Sequence, residues 1–302
     1  MMNEVLSSEI TRLEKAFDSI GREMPSLKPV ADAFKEVAVG RAMLKARLPE
    51  RADIHIPSPD RSRLSLGHPW LREGTIASLM DPWGETAESA MQPLARAFPG
   101  IKADVLRLKE ALDRGNADLG QCVGALVERR KEDLIRIASD VGLQPIVLRF
   151  ILGQMLKPFV EKRTESLRPL IRDLPWFQGY CPICGALPEL SFLQGEAGQR
   201  WLRCSLCGCE WRFDRMTCPY CGEQKGSKDI LCIDGSEQKW VELCSDCRRY
   251  MVGIDLRKEN VVTADVAAIG MVHLDIIAQR RGFSPTADCA WNAVANGDRD
   301  WP

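Results

Sequence analysis

Apolar residues recur at three- and four-residue intervals through the first half of this 302-residue chain, then at two-residue intervals in a shorter stretch, which predicts helices followed by strands. Leu6, Ile10, Leu13, Phe17 and Ile20 share one helical face, and Val30, Phe34, Val37, Leu44 and Leu48 share a second that Pro49 stops. The next twenty residues, with Pro57, Pro59 and Pro69, read as a loop in which His55 and His68 are solvated. Helical periodicity resumes near Trp70. Ile101, Val105, Leu108 and Leu112 make a face that ends at Gly115. Val123, Leu126, Leu134, Ile137 and Val141 make another, with Cys122 as a small buried hydrophobe. Pro145 opens residues 146–156, apolar nearly all round through Leu148, Phe150, Ile151, Leu152 and Met155, as the central buried helix of a bundle.

Composition shifts at Leu174, Pro175, Trp176 and Phe177. Cys209, Trp211 and Phe213 then alternate with Glu210, Arg212 and Asp214, the period of a strand. Residues 250–256 read as a further strand, and Cys232, between Leu231 and Ile233, as strand core. Thr263 is placed to cap a last helix carrying Val266, Ile269, His273, Ile276 and Ile277 on one face, ended by Gly282. His273 on that stripe reads as a core histidine making one hydrogen bond. The tail beyond Phe283, with Cys289, reads as partly disordered. The expected fold class is α+β multidomain, in three parts: an all-helical domain over residues 1–173, a small metal domain over 174–258, and a C-terminal helix and tail over 259–302 packed on the metal domain.

The chemistry sits in residues 181–247, where four CxxC pairs follow one another: Cys181/Cys184, Cys204/Cys207, Cys218/Cys221 and Cys244/Cys247. Two residues between cysteines in a tight turn aim both sulfurs at one point, and two such knuckles close a tetrahedral cage around one metal ion. Pro182 and Pro219 follow the first cysteine of their knuckles and fix φ, while Gly185 and Gly222 follow the second, where a left-handed residue is needed. Eight such thiols imply two metals. Consecutive knuckles are expected to share a metal, with the segment from Cys207 to Cys218 as a strand joining two modules. A tight hairpin there would instead pair knuckles two and three, and one and four. Cys209 reads as a packed spare thiol rather than a ninth ligand. Trp176, Phe177, Tyr180, Trp201 and Trp211 flank the knuckles and are expected to pack a core that is otherwise thin, any exposed subset being a docking patch.

Composition narrows the function. With 41 Lys and Arg against 42 Asp and Glu, the net charge of −1 offers no basic surface, and nucleic-acid binding loses its electrostatic footing. The first fifteen residues hold no apolar signal core, and the most apolar C-terminal stretch is interrupted by Asp265, His273 and Asp275, so the expectation is a cytoplasmic chain without a membrane span. In that reducing compartment, paired cysteines point to metal rather than disulfides. No GxGxxG, Walker loop, HExxH or GxSxG is present, and three histidines leave little general-base chemistry. Closed four-thiolate sites leave no open position for a substrate. The chain is therefore expected not to be an enzyme, with no catalytic and no cofactor-binding residues beyond the metal ligands.

The motif set resembles a known family. Tyr180 with the first knuckle, Arg200-Trp-Leu-Arg before the second and Glu210-Trp211 after it, the third knuckle, Glu242-Leu before the fourth, and the helix at Ala264-Asp265 are similar to the FdhE family of formate dehydrogenase accessory proteins over residues 176–284. Cys209 and the tail beyond Phe283 depart from the pattern. The resemblance implies a cytoplasmic maturation factor with a rubredoxin-like double-knuckle domain that binds iron. It implies as its partner the catalytic subunit of a molybdenum- or tungsten-dependent formate dehydrogenase. Carried over by position, the metal ligands are Cys181, Cys184, Cys204, Cys207, Cys218, Cys221, Cys244 and Cys247. The alternatives are a structural double zinc ribbon serving as an interaction module and a dithiol oxidoreductase, against which the Pro and Gly placement argues.

Overall fold

A computed structural model describes residues 2–48, 59–71, 83–128, 130–171, 176–224, 228–233, 236–259 and 261–292. Among them, the expected helical periodicity is realised first as α1 (Met2–Glu23) and α2 (Lys28–Arg47), joined by a 3-10 turn at Pro25–Leu27. Leu13, Phe17, Ile20, Phe34, Val37, Leu44 and Leu48 are all buried. The stretch read as loop contains a short helix, α3 (Arg61–Ser65), whose first amides donate to Asp60 Oδ1 from Ser62 and Arg63 at 3.0 and 3.3 Å. Five residues are too few to show a period, and the capping aspartate was the only signal. His68 is exposed as expected, whereas His55 and Pro57 lie outside the described residues.

Helices α4 (Trp83–Ala97), α5 (Lys102–Asp113), α6 (Leu119–Val127), α7 (Lys131–Asp140), α8 (Pro145–Thr164) and α9 (Arg168–Ile171) follow. The single apolar face expected over residues 123–141 is split between α6 and α7. Asp118 caps the first through Gln121 N–H at 2.7 Å, and Arg130 leaves the helical region at φ −76°, ψ 84° before the second begins. Helix α8 is buried through Leu148, Ile151, Leu152 and Met155, but Phe150 is half-buried and Ile146 exposed, so its first turns are not enclosed all round, and it runs on past Pro158 to Thr164.

The chain divides into two compact units. One comprises residues 1–14, 32–58 and 71–164, the other 15–31, 59–70 and 165–302. In the first, Phe98 stands edge-on to both Phe34 and Phe150 at 5.2 Å, and a Cβ on Gly40 would meet Pro93 at 2.6 Å, so α2 and α4 touch backbone to ring.

The second unit holds a seven-stranded sheet: β1 (Pro188–Gln194), β2 (Gln199–Cys204), β3 (Glu210–Arg212), β4 (Lys228–Ile233), β5 (Ser236–Cys244), β6 (Arg249–Asp255) and β7 (Ser284–Pro285). Its order is β3-β2-β1-β6-β5-β4, with β7 beside β6. Two antiparallel triplets, β1-β2-β3 and β4-β5-β6, meet in parallel at β1 and β6 through Ser191 opposite Gly253. The strand expected between Cys207 and Cys218 is the three-residue edge strand β3, with Trp211 buried and Arg212 exposed as the alternation requires. Cys232 is a correction: it lies exposed on β4, the opposite edge, where one face of the strand has no neighbour to bury it.

The C-terminal helix is also corrected. It is interrupted, with α10 (Ala264–Ala267), a 3-10 turn at Ile269–Met271 and α11 (Val272–Arg280) before Gly282 at φ 81°. A 3-10 turn advances by three residues rather than 3.6 and rephases the face. Ile276 and Ile277 therefore turn outward, and Leu274, Asp275, Ala278 and Gln279 turn inward. Thr263 stands at the cap position, but its hydroxyl bonds Asp265 rather than a backbone amide. His273 is half-buried and makes no hydrogen bond at either ring nitrogen, against the single bond expected. Residues 284–292, expected as loose tail, are fixed by Ser284 N–H to Arg248 O and by Thr286 N–H and Oγ1 to Tyr250 O, at 2.8–2.9 Å.

Candidate metal centres

Three of the four knuckles share one backbone bond. The amides of Gly185, Gly222 and Arg248 each bond the carbonyl of the first cysteine of their knuckle, at 2.9 Å. The residue after each second cysteine is left-handed: Gly185 at φ 74°, Gly208 at 65°, Gly222 at 74° and Arg248 at 57°. Three positions meet this need with glycine. The fourth holds an arginine in a region costly for L-residues, with its guanidinium over the Phe283 ring at 4.1 Å and donating to Arg281 O at 3.2 Å. The turn aims amides at sulfur. Ile183 N–H reaches Cys181 Sγ, and the amides of Leu206 and Cys207 reach Cys204 Sγ, all at 3.4 Å. Tyr220 and Cys221 amides serve Cys218, and Asp246 and Cys247 amides serve Cys244.

The topology settles which knuckles meet. In each triplet a knuckle precedes the first strand, and the second strand ends on the third cysteine, Cys204 in β2 and Cys244 in β5. The hairpin thus returns the second knuckle to the first. The result is the consecutive pairing: Cys181, Cys184, Cys204 and Cys207 form one group, and Cys218, Cys221, Cys244 and Cys247 the other, with the sulfurs of each group within 4.8 Å of one another. A tetrahedron with ~2.3 Å metal–sulfur bonds has edges of about 3.8 Å. The second group shows 3.8 Å for Cys218–Cys247 and Cys221–Cys244, and the first 3.4–3.6 Å across its knuckles. Both groups can hold a metal ion.

The surroundings differ. All four cysteines of the first group are buried. In the second, Cys221 is exposed and Cys247 half-buried, and the site meets solvent. Beside the first group, Arg168 Nη2 donates to Cys207 O at 2.6 Å, and Arg203 Nη1 donates to Gly208 O at 3.2 Å and Glu210 Oε1 at 2.8 Å. Arg203 Nε also donates to Glu189 Oε1 at 3.2 Å, so its charge is matched by two carboxylates, and both arginines hold the second knuckle through its backbone carbonyls. Burial pushes the Cys181 thiol well above its ordinary range. Burial acts the same way on Cys207, but hydrogen bonds from Cys181, Cys184 and Cys204 hold it well below. Cys209 is fully buried beside this group and belongs to neither four-sulfur set; its thiol points to Glu210 O at 3.8 Å.

Of the flanking aromatics, Trp176 and Trp211 are buried and bond Tyr180 O at 2.8 Å and Gln178 O at 3.2 Å. Tyr180 and Trp201 are half-buried, and Phe177 is exposed. Arg200 and Arg203 stand in the motif that precedes the second knuckle, but the pattern gave no hint that they are buried, because an arginine in a strand looks like a surface residue, nor that Arg168 on α9 reaches Cys207 O. No helix among the described residues is long and apolar enough to cross a membrane.

Residues 180–215, which span the first four-cysteine group, match the family model described as FdhE, central domain. The chain is 30% identical over 192 residues to the FdhE homolog of Aquifex aeolicus, covering 61% of this chain and 67% of that protein. It is 31% identical over 131 residues to the FdhE homolog of Shewanella sp. strain MR-4, covering 43% of this chain and 41% of that one. The protein FdhE of Escherichia coli O127:H6 matches at 35% over 109 residues, 35% of each chain. The crystal structure of the FdhE protein from Pseudomonas aeruginosa shares the fold, with a TM-score of 0.68 at 20% identity over 96% of this chain and 97% of that one.

Proposed function

This chain belongs to the FdhE family, and we propose on that premise that it is a cytoplasmic accessory protein needed for the activity of a molybdenum- or tungsten-dependent formate dehydrogenase. In this reading it binds the catalytic subunit of that enzyme, is not itself an enzyme, and holds one iron in each four-cysteine group. The ligands proposed are Cys181, Cys184, Cys204 and Cys207 for one ion, and Cys218, Cys221, Cys244 and Cys247 for the other. The observation that carries the reading is the convergence of eight thiols into two separate four-sulfur groups with edges suited to a tetrahedral ion.

The chain's own residues supply the rest of the site. Backbone amides at each knuckle turn toward sulfur, and Arg168 and Arg203 hold the backbone of the second knuckle through Cys207 O and Gly208 O. A four-thiolate iron centre supplies one-electron redox chemistry, whereas zinc in the same cage supplies none. The test is complementation of a strain lacking this gene. The wild-type chain is expected to restore formate oxidation, and a chain with Ser at Cys218 and Cys221 is not. Rescue by a zinc-loaded chain would assign the metals to shaping a docking surface. Full formate oxidation in the deletion strain, or no complex between this chain and the catalytic subunit under anaerobic conditions, would overturn the proposal.

A further inference from the structure

The two groups share their chemistry but not their setting. The first is closed on all sides, while the second presents the exposed Cys221 to solvent. The segments that carry the second group are held by the module of the first. Arg200, in β2, is 2% exposed at its side chain and makes four hydrogen bonds. Its Nη1 donates to Asp214 O at 2.9 Å and Thr217 O at 3.0 Å, its Nη2 to Glu242 Oε2 at 2.7 Å, and its Nε to Ser191 Oγ at 2.9 Å. Thr217 immediately precedes Cys218, and Glu242 lies two residues before Cys244, so one guanidinium fixes the approach to both knuckles of the second group. A second tie lies at Gly179, two residues before Cys181: a Cβ there would fall 1.8 Å from the carbonyl oxygen of Pro219, inside the third knuckle.

We infer that the second group, Cys218, Cys221, Cys244 and Cys247, is an exchange site for a thiophilic divalent metal, while the first group retains its metal, and that Arg200 holds the open site in register. The inference rests on the reading that both groups bind metal. Exchange at a four-thiolate site proceeds ligand by ligand: one thiolate leaves the metal and takes a proton from water as a donor atom of the acceptor takes its place, with no change of oxidation state. Cys221 can make that first step with only a side-chain movement. A cysteine of the first group can do so only after its knuckle opens, and that opening must break buried packing. Arg200 opposes the loss of the remaining ligands, because a charged hydrogen-bonded fork is lost if the third knuckle moves away.

The test uses the full chain loaded with two equivalents of Zn2+ and challenged with excess EDTA, with zinc content followed by native mass spectrometry and free thiols mapped by pulses of iodoacetamide. One equivalent is expected to leave roughly tenfold or more faster than the other, with Cys218, Cys221, Cys244 and Cys247 alkylated in the fast phase. Arg200→Lys, which keeps the charge and loses the fork, and Arg200→Met are expected to speed the fast phase severalfold and leave the slow phase unchanged. Release of both equivalents in one phase, or alkylation of the first group before the second, would overturn the inference. A wild-type chain that takes up only one equivalent at the start would instead overturn the two-metal reading beneath it.

Discussion

Asp275 is a buried carboxyl on α11 that accepts from Tyr250 Oη at 2.7 Å, and Gln279, one turn on, donates to the same hydroxyl at 2.9 Å and to Asn292 O at 3.0 Å. Its other oxygen is buried without a hydrogen-bond partner, which disfavours the charged carboxylate. Desolvation raises the acid to about 7, against the lowering effect of Tyr250 and Asn292. The folded pKa lies above the unfolded one, so this group's stabilising effect is complete below about pH 4 and is lost as pH rises through about 7. The groups facing it from other elements are Tyr250 and the Cys289–Asn292 turn, and burial pushes the Tyr250 hydroxyl upward, out of that window. Unfolding free energies from urea titrations between pH 5 and 8 are therefore expected to fall by on the order of 3 kcal/mol in the wild type, and to fall much less in Asp275→Asn. Equal slopes in the two proteins would place the charge in contact with water.

Edge strands and rephased helices are the elements that the pattern misjudged. Leu231-Cys232-Ile233 reads as buried strand because its composition is that of one, but composition does not say where in the sheet a strand lies. β4 ends the order, and its Ile230 is 63% exposed. The stripe from Val266 to Ile277 failed for a different reason: one 3-10 turn rotates everything after it, and nothing in the spacing announces the turn. What was legible was local and chemical. The knuckles carry their own proline, glycine and cysteine code, and consecutive knuckles were the expected partners. The edge position has a direct consequence. With both metal groups loaded, Cys232 is expected to be the thiol that reacts at once with an aromatic disulfide reagent, while Cys289 is buried and Cys122, whose thiol burial pushes up to about 11, stays protected. Loss of the rapid phase in Cys232→Ser checks the assignment, and its persistence would move the fast thiol to Cys221.

At the scale of the molecule, the metal groups draw on chain far from the cysteines. Residues 15–31 and 59–70 belong to the same compact unit as residues 165–302. Ile20 packs on Gly270, where a Cβ would lie 3.1 Å from its Cγ1, and Glu23 pairs with Lys239 at 2.7 Å. Gly67 O accepts from Tyr180 Oη at 2.7 Å, and Trp70 N–H donates to Pro182 O at 2.8 Å, inside the first knuckle. Long-range ties of this kind leave no periodic trace, which is why the sequence points to the cages and not to their supports. The boundary proposed at residue 174 can be tested against them. A fragment of residues 174–302 keeps all eight thiols and both hairpins, so it is expected to take up two equivalents of zinc. It loses Ile20, Glu23, Gly67, Trp70 and Arg168, and with them one apolar contact, the Glu23–Lys239 ion pair and three hydrogen bonds to groups in or beside the first two knuckles. Each buried polar group left unpaired costs about 1–3 kcal/mol, so the urea midpoint of the zinc-loaded fragment is expected to lie well below that of the full chain. A fragment that takes up no zinc would show that the boundary cuts through a folding unit. A fragment as stable as the full chain would show that the distant segments contribute nothing to holding the cages.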